Sequence, residues 1–99
     1  MPEVFVRAEA ATDMAAIHRF SLENFGESVA LDYMAGLDEA LGRLRAFPER
    51  GRLDRSIEPA IHIFSYRSHR VYYDFDGAAV SVVRILHHAM NAAAQLGGR

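Results

Sequence analysis

Ninety-nine residues, 51% of them hydrophobic and 24% charged, suffice for one domain with one core and exclude a disordered chain. There is no cysteine, which removes disulfides, thiolate metal sites and cysteine nucleophiles together and suits a reducing, cytoplasmic setting. A net charge of −2 argues against general attraction to nucleic acid, and neither a secretory signal nor an apolar run of the ~20 residues that cross a membrane is present.

In chain order, Val4, Val6 and Ala8 alternate with Phe5, Arg7 and Glu9, the period of a short strand. Thr12 stands where a helix N-cap belongs, with Asp13 in the first turn. Met14, Ile17, Leu22 and Phe25 then fall at helical spacing, and Gly26 supplies a left-handed closing residue. A second helix carries the stripe Ala30, Tyr33, Met34, Leu37, Leu41 and Leu44, is stopped by Pro48, and leads to a loop at Gly51. Two amphipathic helices separated by one glycine are expected to fold back as an antiparallel hairpin, whose apolar stripes need a flat apolar cover.

That cover is expected from three strands, Ala60 to Arg67, His69 to Phe75 and Ala78 to Leu86. Asp76-Gly77 predicts a two-residue turn of type I′, which pairs Phe75 with Ala78, Tyr73 with Val80 and Val71 with Val82 as one core face. Arg70, Tyr72, Asp74, Ser81, Val83, Ile85 and His87 then lie on the other face, and Arg84 stands opposite His69. His88 to Leu96 predicts a short terminal helix. The expected fold is α+β in two layers, in the order β-α-α-β-β-β. A helical hairpin packs on one face of a mainly antiparallel sheet, as a single domain over residues 1–99.

These landmarks resemble the ParE branch of the ParE/RelE toxin superfamily, over about Ala11 to Leu96. The resemblance is carried by Ala11-Thr12-Asp13-Met14 entering a helix that ends in Phe25-Gly26, and by the second stripe running into Phe47-Pro48 and Gly51. It continues in Tyr66-Arg67-Ser68-His69-Arg70-Val71-Tyr72-Tyr73, and in Val83-Arg84-Ile85-Leu86-His87 after the hairpin. It implies a bacterial toxin held by a ParD-like antitoxin, whose C-terminal segment wraps and blocks it, with inhibition of DNA gyrase as the activity. Other members of the superfamily cleave mRNA at the ribosome, so an mRNA interferase is the alternative.

All eleven basic residues are arginine, and five of them (Arg43, Arg45, Arg50, Arg52 and Arg55) fall within thirteen residues. Guanidinium groups pair well with carboxylates, so Arg50, Arg52, Arg55 and Arg84 are candidate contacts for an acidic antitoxin. An internal ion pair is the other reading of Arg84. Ribonuclease chemistry needs a base, a cation for the phosphate and an acid. Arg70, Tyr72 and His87 are the candidates, and otherwise they are target-binding residues. No lysine is present, and no carboxylate near Arg70 supplies an obvious base. His87 and His88, adjacent in a strand, are expected to point to opposite faces, which disfavours a metal. No motif asks for a cofactor, a metal or sequence-specific nucleic-acid binding, and no recognisable active site is present.

Overall fold

The computed structural model describes every residue except Gly98. Strand β1 (Glu3–Val6) leads into α1 (Ala8–Phe25) and α2 (Glu27–Gly42), and a 3₁₀ turn at Arg43–Arg45 follows. Then come β2 (Arg52–Asp54), β3 (Ile61–Tyr66), β4 (His69–Phe75) and β5 (Ala79–His87), and the short helix α3 (Ala92–Leu96) ends the chain. The five strands form one sheet in the order β1-β5-β4-β3-β2. All neighbours are antiparallel except β1 and β5. The α+β architecture with a helical hairpin on the sheet is as expected, and β2 is an additional edge strand.

Helix α1 starts four residues before the expected cap. Arg7 is still extended, at φ −69° and ψ 160°. Its N–H donates to the Val82 carbonyl at 3.0 Å, and its own carbonyl accepts from Ala11 at 2.9 Å. The good helix formers Ala8 to Ala11 therefore continue directly from the strand. Thr12 sits inside the helix, its hydroxyl turned back to the Ala8 carbonyl at 3.1 Å. The buried row of α1 is Ala10, Ile17 and Ser21, with Met14 half-buried, whereas Leu22 and Phe25 face outward. Gly26 closes the helix at φ 88°, its N–H bonded to the Leu22 carbonyl. In α2 the expected stripe faces the core: Ala30, Leu37, Leu41 and, just beyond, Leu44 are buried.

Asp76 changes the hairpin. Its carboxylate accepts the N–H groups of both Ala78 and Ala79 at 2.8 Å, and its own N–H meets the Ala79 carbonyl. A local side-chain bond of this kind competes with the tight turn, and a connection of residues 76–79 results, with Gly77 at φ 93°. Phe75 pairs with Val80 and Tyr73 with Val82, two residues on from the expected register, which preserves the faces near the turn. Farther along, the register shifts by one. Tyr72 pairs with Arg84 and Val71 with Ile85, leaving Val83 as the extra residue of a β-bulge. The bulge exchanges the faces of everything after it, so Ile85 joins the core under the helices instead of the outer face.

Two apolar clusters result. One lies between the hairpin and the sheet and contains Ile17, Leu37, Leu41, Leu44, Phe64, Val71, Tyr73, Val80, Val82 and Ile85. The other occupies the outer face: Leu96 of α3 and Ile57 of the β2–β3 loop cover Ile61, Ile63, Tyr72 and Leu86. Close approaches fix the helices on the sheet. Tyr66 reaches the Tyr33 carbonyl at 2.8 Å, where a methyl group on Gly36 would overlap its hydroxyl. Tyr73 accepts the Gly51 N–H at 2.9 Å, which requires glycine there.

Asp13 supplies a long-range tie between α1 and β5. Strand β1 ends opposite Val82, so β5 continues beyond it with a bare edge. Asp13 of α1 covers that edge. Its Oδ2 accepts the Ile85 N–H at 2.9 Å, and its two oxygens accept the Arg84 Nε and Nη2 groups at 2.7 and 2.9 Å. Charge-assisted and partly buried, these bonds are of the strong kind. Asp13→Ala is expected to lower stability by about 2–4 kcal/mol, since it strands a guanidinium and a backbone donor together. Urea unfolding checks this, and a change below ~0.5 kcal/mol would show the clamp to be incidental.

Candidate functional site

Three surfaces remain once the core is assigned. The first is the outer side of the hairpin at its Gly26 corner. Phe20, Phe25 and Leu31 are 61%, 62% and 61% exposed, with Leu22 and Val29 beside them. Phe20 and Phe25 meet edge to face, 6.3 Å between ring centres. Large aromatic side chains that touch while exposed mark a binding surface more than a solvated one. The two helices that meet there are acidic: residues 8–42 hold seven carboxylates and one arginine.

The second is a groove of about 350 Å³ between α1 and the end of β5, lined by Ile17, Phe20, Ile85, Leu86, His87 and Met90 among others. Histidines form one rim. The Tyr33 hydroxyl is hydrogen-bonded to Nδ1 of His69 at 2.6 Å, and burial raises the pKa of that tyrosine. The His69 and His87 rings lie 5.4 Å apart, and those of His87 and His88 4.4 Å apart. The last two were expected on opposite faces. The strand ends at His87 and the chain turns, which brings the rings together. Among the described residues no group of three His, Asp or Glu is placed to hold a metal.

The third surface is the β2 edge. Arg50, Arg52 and Arg55 are exposed and Arg70 is half-buried. Arg50 lies over the Phe64 ring, 4.7 Å from its centre. Asp54 sits among them. Hydrogen bonds from Ser56 hold its carboxyl below the usual range, with Arg52 and Arg70 adding to the effect. Arg43 and Arg67 are instead tied to Glu39 and Asp32.

The structure does not bring the sequence-derived candidates into one site. Arg70 and Tyr72 belong to the outer face, and Tyr72 is 2% exposed beneath α3 instead of at the surface. The bulge at Val83 turns His87 to the other side of the sheet, into the groove. Arg84 stands opposite Tyr72, not His69, and is engaged by Asp13. Arg50, Arg52 and Arg55 do share an edge. Sequence reading missed the apolar corner, because it placed Leu22 and Phe25 on the buried row. The spacing Ala10, Met14, Ile17, Ser21 was available but carries small and polar residues.

The two-layer α+β scaffold thus carries an exposed aromatic corner, an apolar groove and a cationic edge. Residues 4–92 match the family model described as the ParE toxin of the type II toxin–antitoxin system, parDE. Toxin ParE3 of Caulobacter vibrioides is 36% identical over 85 residues, covering 86% of this chain and 85% of that protein. Toxin ParE1 of Mycobacterium tuberculosis is 33% identical over 70 residues, covering 70% of this chain and 71% of the other. A solved chromosomal ParDE toxin–antitoxin system from P. aeruginosa contains a chain of the same fold. Its TM-score is 0.76 at 19% identity, over 88% of this chain and 96% of that one. This chain belongs to the ParE toxin family of type II toxin–antitoxin systems. No described helix is long and apolar enough to cross a membrane.

The histidine rim makes stability depend on pH. Burial first, then His87 and His88, holds the His69 pKa below the ordinary histidine value, with Asp13 opposing. As pH falls through ~6.5 the unfolded chain takes up this proton before the folded one, so folding weakens below that pH. The urea midpoint is expected to be lower at pH 5.5 than at pH 7.5, and His69→Gln to shrink the difference. An unchanged pH difference in that variant would assign the effect elsewhere.

Proposed function

We propose that this toxin acts by binding, with DNA gyrase as target and the cognate antitoxin covering the aromatic corner of the helical hairpin. The observation that carries the antitoxin assignment is the exposed, touching pair Phe20 and Phe25, with Val29 and Leu31 exposed just beyond Gly26. An amphipathic antitoxin helix laid across this corner buries its anchors. The arginines at 50, 52 and 55 lie beyond the far end of α2, a helix of 16 residues and so about 24 Å long. They are therefore assigned outside this contact, and Arg84 is assigned to the Asp13 clamp. The gyrase assignment rests on family membership, to which the dispersal of the ribonuclease candidates adds support. A catalytic base, cation and acid must converge on one phosphate, whereas Tyr72 is buried on one face and His87 opens on the other.

Purified chain mixed with gyrase and plasmid is expected to accumulate cleaved DNA, an effect reversed by stoichiometric antitoxin. Phe20→Glu with Phe25→Glu is expected to weaken antitoxin binding at least about 100-fold, as loss of two aromatic anchors does. Cleavage of message on translating ribosomes without any effect on gyrase would replace this reading with the mRNA interferase. Undiminished antitoxin binding by the double variant would move the partner off the aromatic corner.

A further inference from the structure

Charge is divided sharply along this chain. Residues 43–70 carry seven arginines against three carboxylates, and all other residues carry four arginines against ten. The near-neutral total therefore conceals a segment of net +4 and a remainder of net −6. Within that segment Arg43 and Arg67 are paired. Among the described residues no carboxylate lies within ion-pair distance of Arg45, Arg50, Arg52, Arg55 or Arg70. Glu49 and Glu58 are exposed nearby, and Asp54 is held by Ser56.

We propose that the arginine edge formed by Arg52, Arg55 and Arg70, gathered around Asp54, is a sequence-independent contact for the phosphate backbone of duplex DNA. Resting on the gyrase reading, the proposal gives this edge the DNA that the target holds while the hairpin corner takes the antitoxin. The chemistry of the two surfaces separates their partners. The corner is aromatic and aliphatic, on two acidic helices, which suits a protein helix. The edge is polar and cationic, the signature of a nucleic-acid interface. An acidic peptide would need backbone pairing to be held there as an added strand, but β2 offers only three residues, Arg52–Asp54. Phosphates need no such register, since dispersed guanidinium groups suffice for non-specific affinity.

The test measures binding of a labelled 20-base-pair duplex to the full-length toxin, in the absence of gyrase, by fluorescence anisotropy across salt concentrations. About three phosphate contacts give a slope of roughly −3 in log affinity against log salt, or about a 60-fold loss between 50 and 200 mM. The triple variant Arg52→Gln, Arg55→Gln, Arg70→Gln is expected to bind at least about 10-fold more weakly at 50 mM salt, with most of the slope gone. The corresponding triple lysine variant is expected to retain binding, because phosphate contact needs charge, whereas forked carboxylate recognition needs arginine. Arg52 and Arg55 are exposed and Arg70 is half-buried, and an unchanged urea midpoint establishes that the variants fold. Three results would each overturn the proposal: no salt-dependent binding by the wild-type chain, equal binding by the glutamine variant, or competition by polyglutamate as effective as that by duplex. A parallel gyrase-cleavage assay on the wild-type chain separates the two ideas. DNA binding lost with gyrase poisoning intact defeats the arginine edge alone, and absent poisoning defeats the reading it rests on.

Discussion

Strand β5 runs from Ala79 to His87, but its parallel neighbour β1 reaches only as far as Val82. The far half of β5 would be an open edge in the middle of the molecule if Asp13 did not occupy it. One carboxylate takes the Ile85 N–H and both arms of Arg84, and so fixes the middle of α1 against the sheet. The β-bulge at Val83 lies immediately before this clamp and turns Ile85 inward to meet Ile17 under the helix. Helix position, core composition and the direction of His87 all follow from that junction. The outward faces of α1 and α2 are left over by the same geometry, since Ile17 and Ser21 face the sheet and Phe20, Leu22 and Phe25 cannot.

Much of this was legible in the residues. The α2 stripe, the Gly26 closure and the order of the main strands follow from periodicity and turn chemistry, which act locally. The failures share a cause. Thr12 was a plausible cap by residue type, but Arg7 is drawn to the Val82 carbonyl, a partner about 75 positions away along the chain. Asp76-Gly77 suggested the tightest turn, yet the Asp76 side chain found two amide donors and lengthened it. The bulge has no local signature, since Val82-Val83 reads as ordinary strand, and it turned His87 to the side of the sheet opposite Arg70 and Tyr72. Strand β2 is too short for a periodicity to show.

The burial of Tyr72 illustrates how tertiary structure overrides pattern. In an α+β domain with helices on one face, the opposite face reads as solvated, and Tyr72 falls on it. Here Ile57 and Leu96 return from loop and terminal helix to make a second small cluster around it. That cluster buries Tyr72, which is 2% exposed. What remains at the surface is chemically divided: an acidic hairpin with an aromatic corner, and a cationic edge beyond the end of α2. A toxin that must be held by one partner and directed to another benefits from such separation, because the two contacts need not compete for the same side chains.

The central claim is that the Gly26 corner, with Phe20, Phe25, Val29 and Leu31, is the ground on which the antitoxin sits. Amide hydrogen exchange of the toxin, free and saturated with antitoxin, tests it most directly. Slowed exchange confined to the second half of α1 and the first half of α2 is the predicted result. Protection centred on Arg50 to Arg55, with residues 20–31 exchanging as in the free chain, would contradict it.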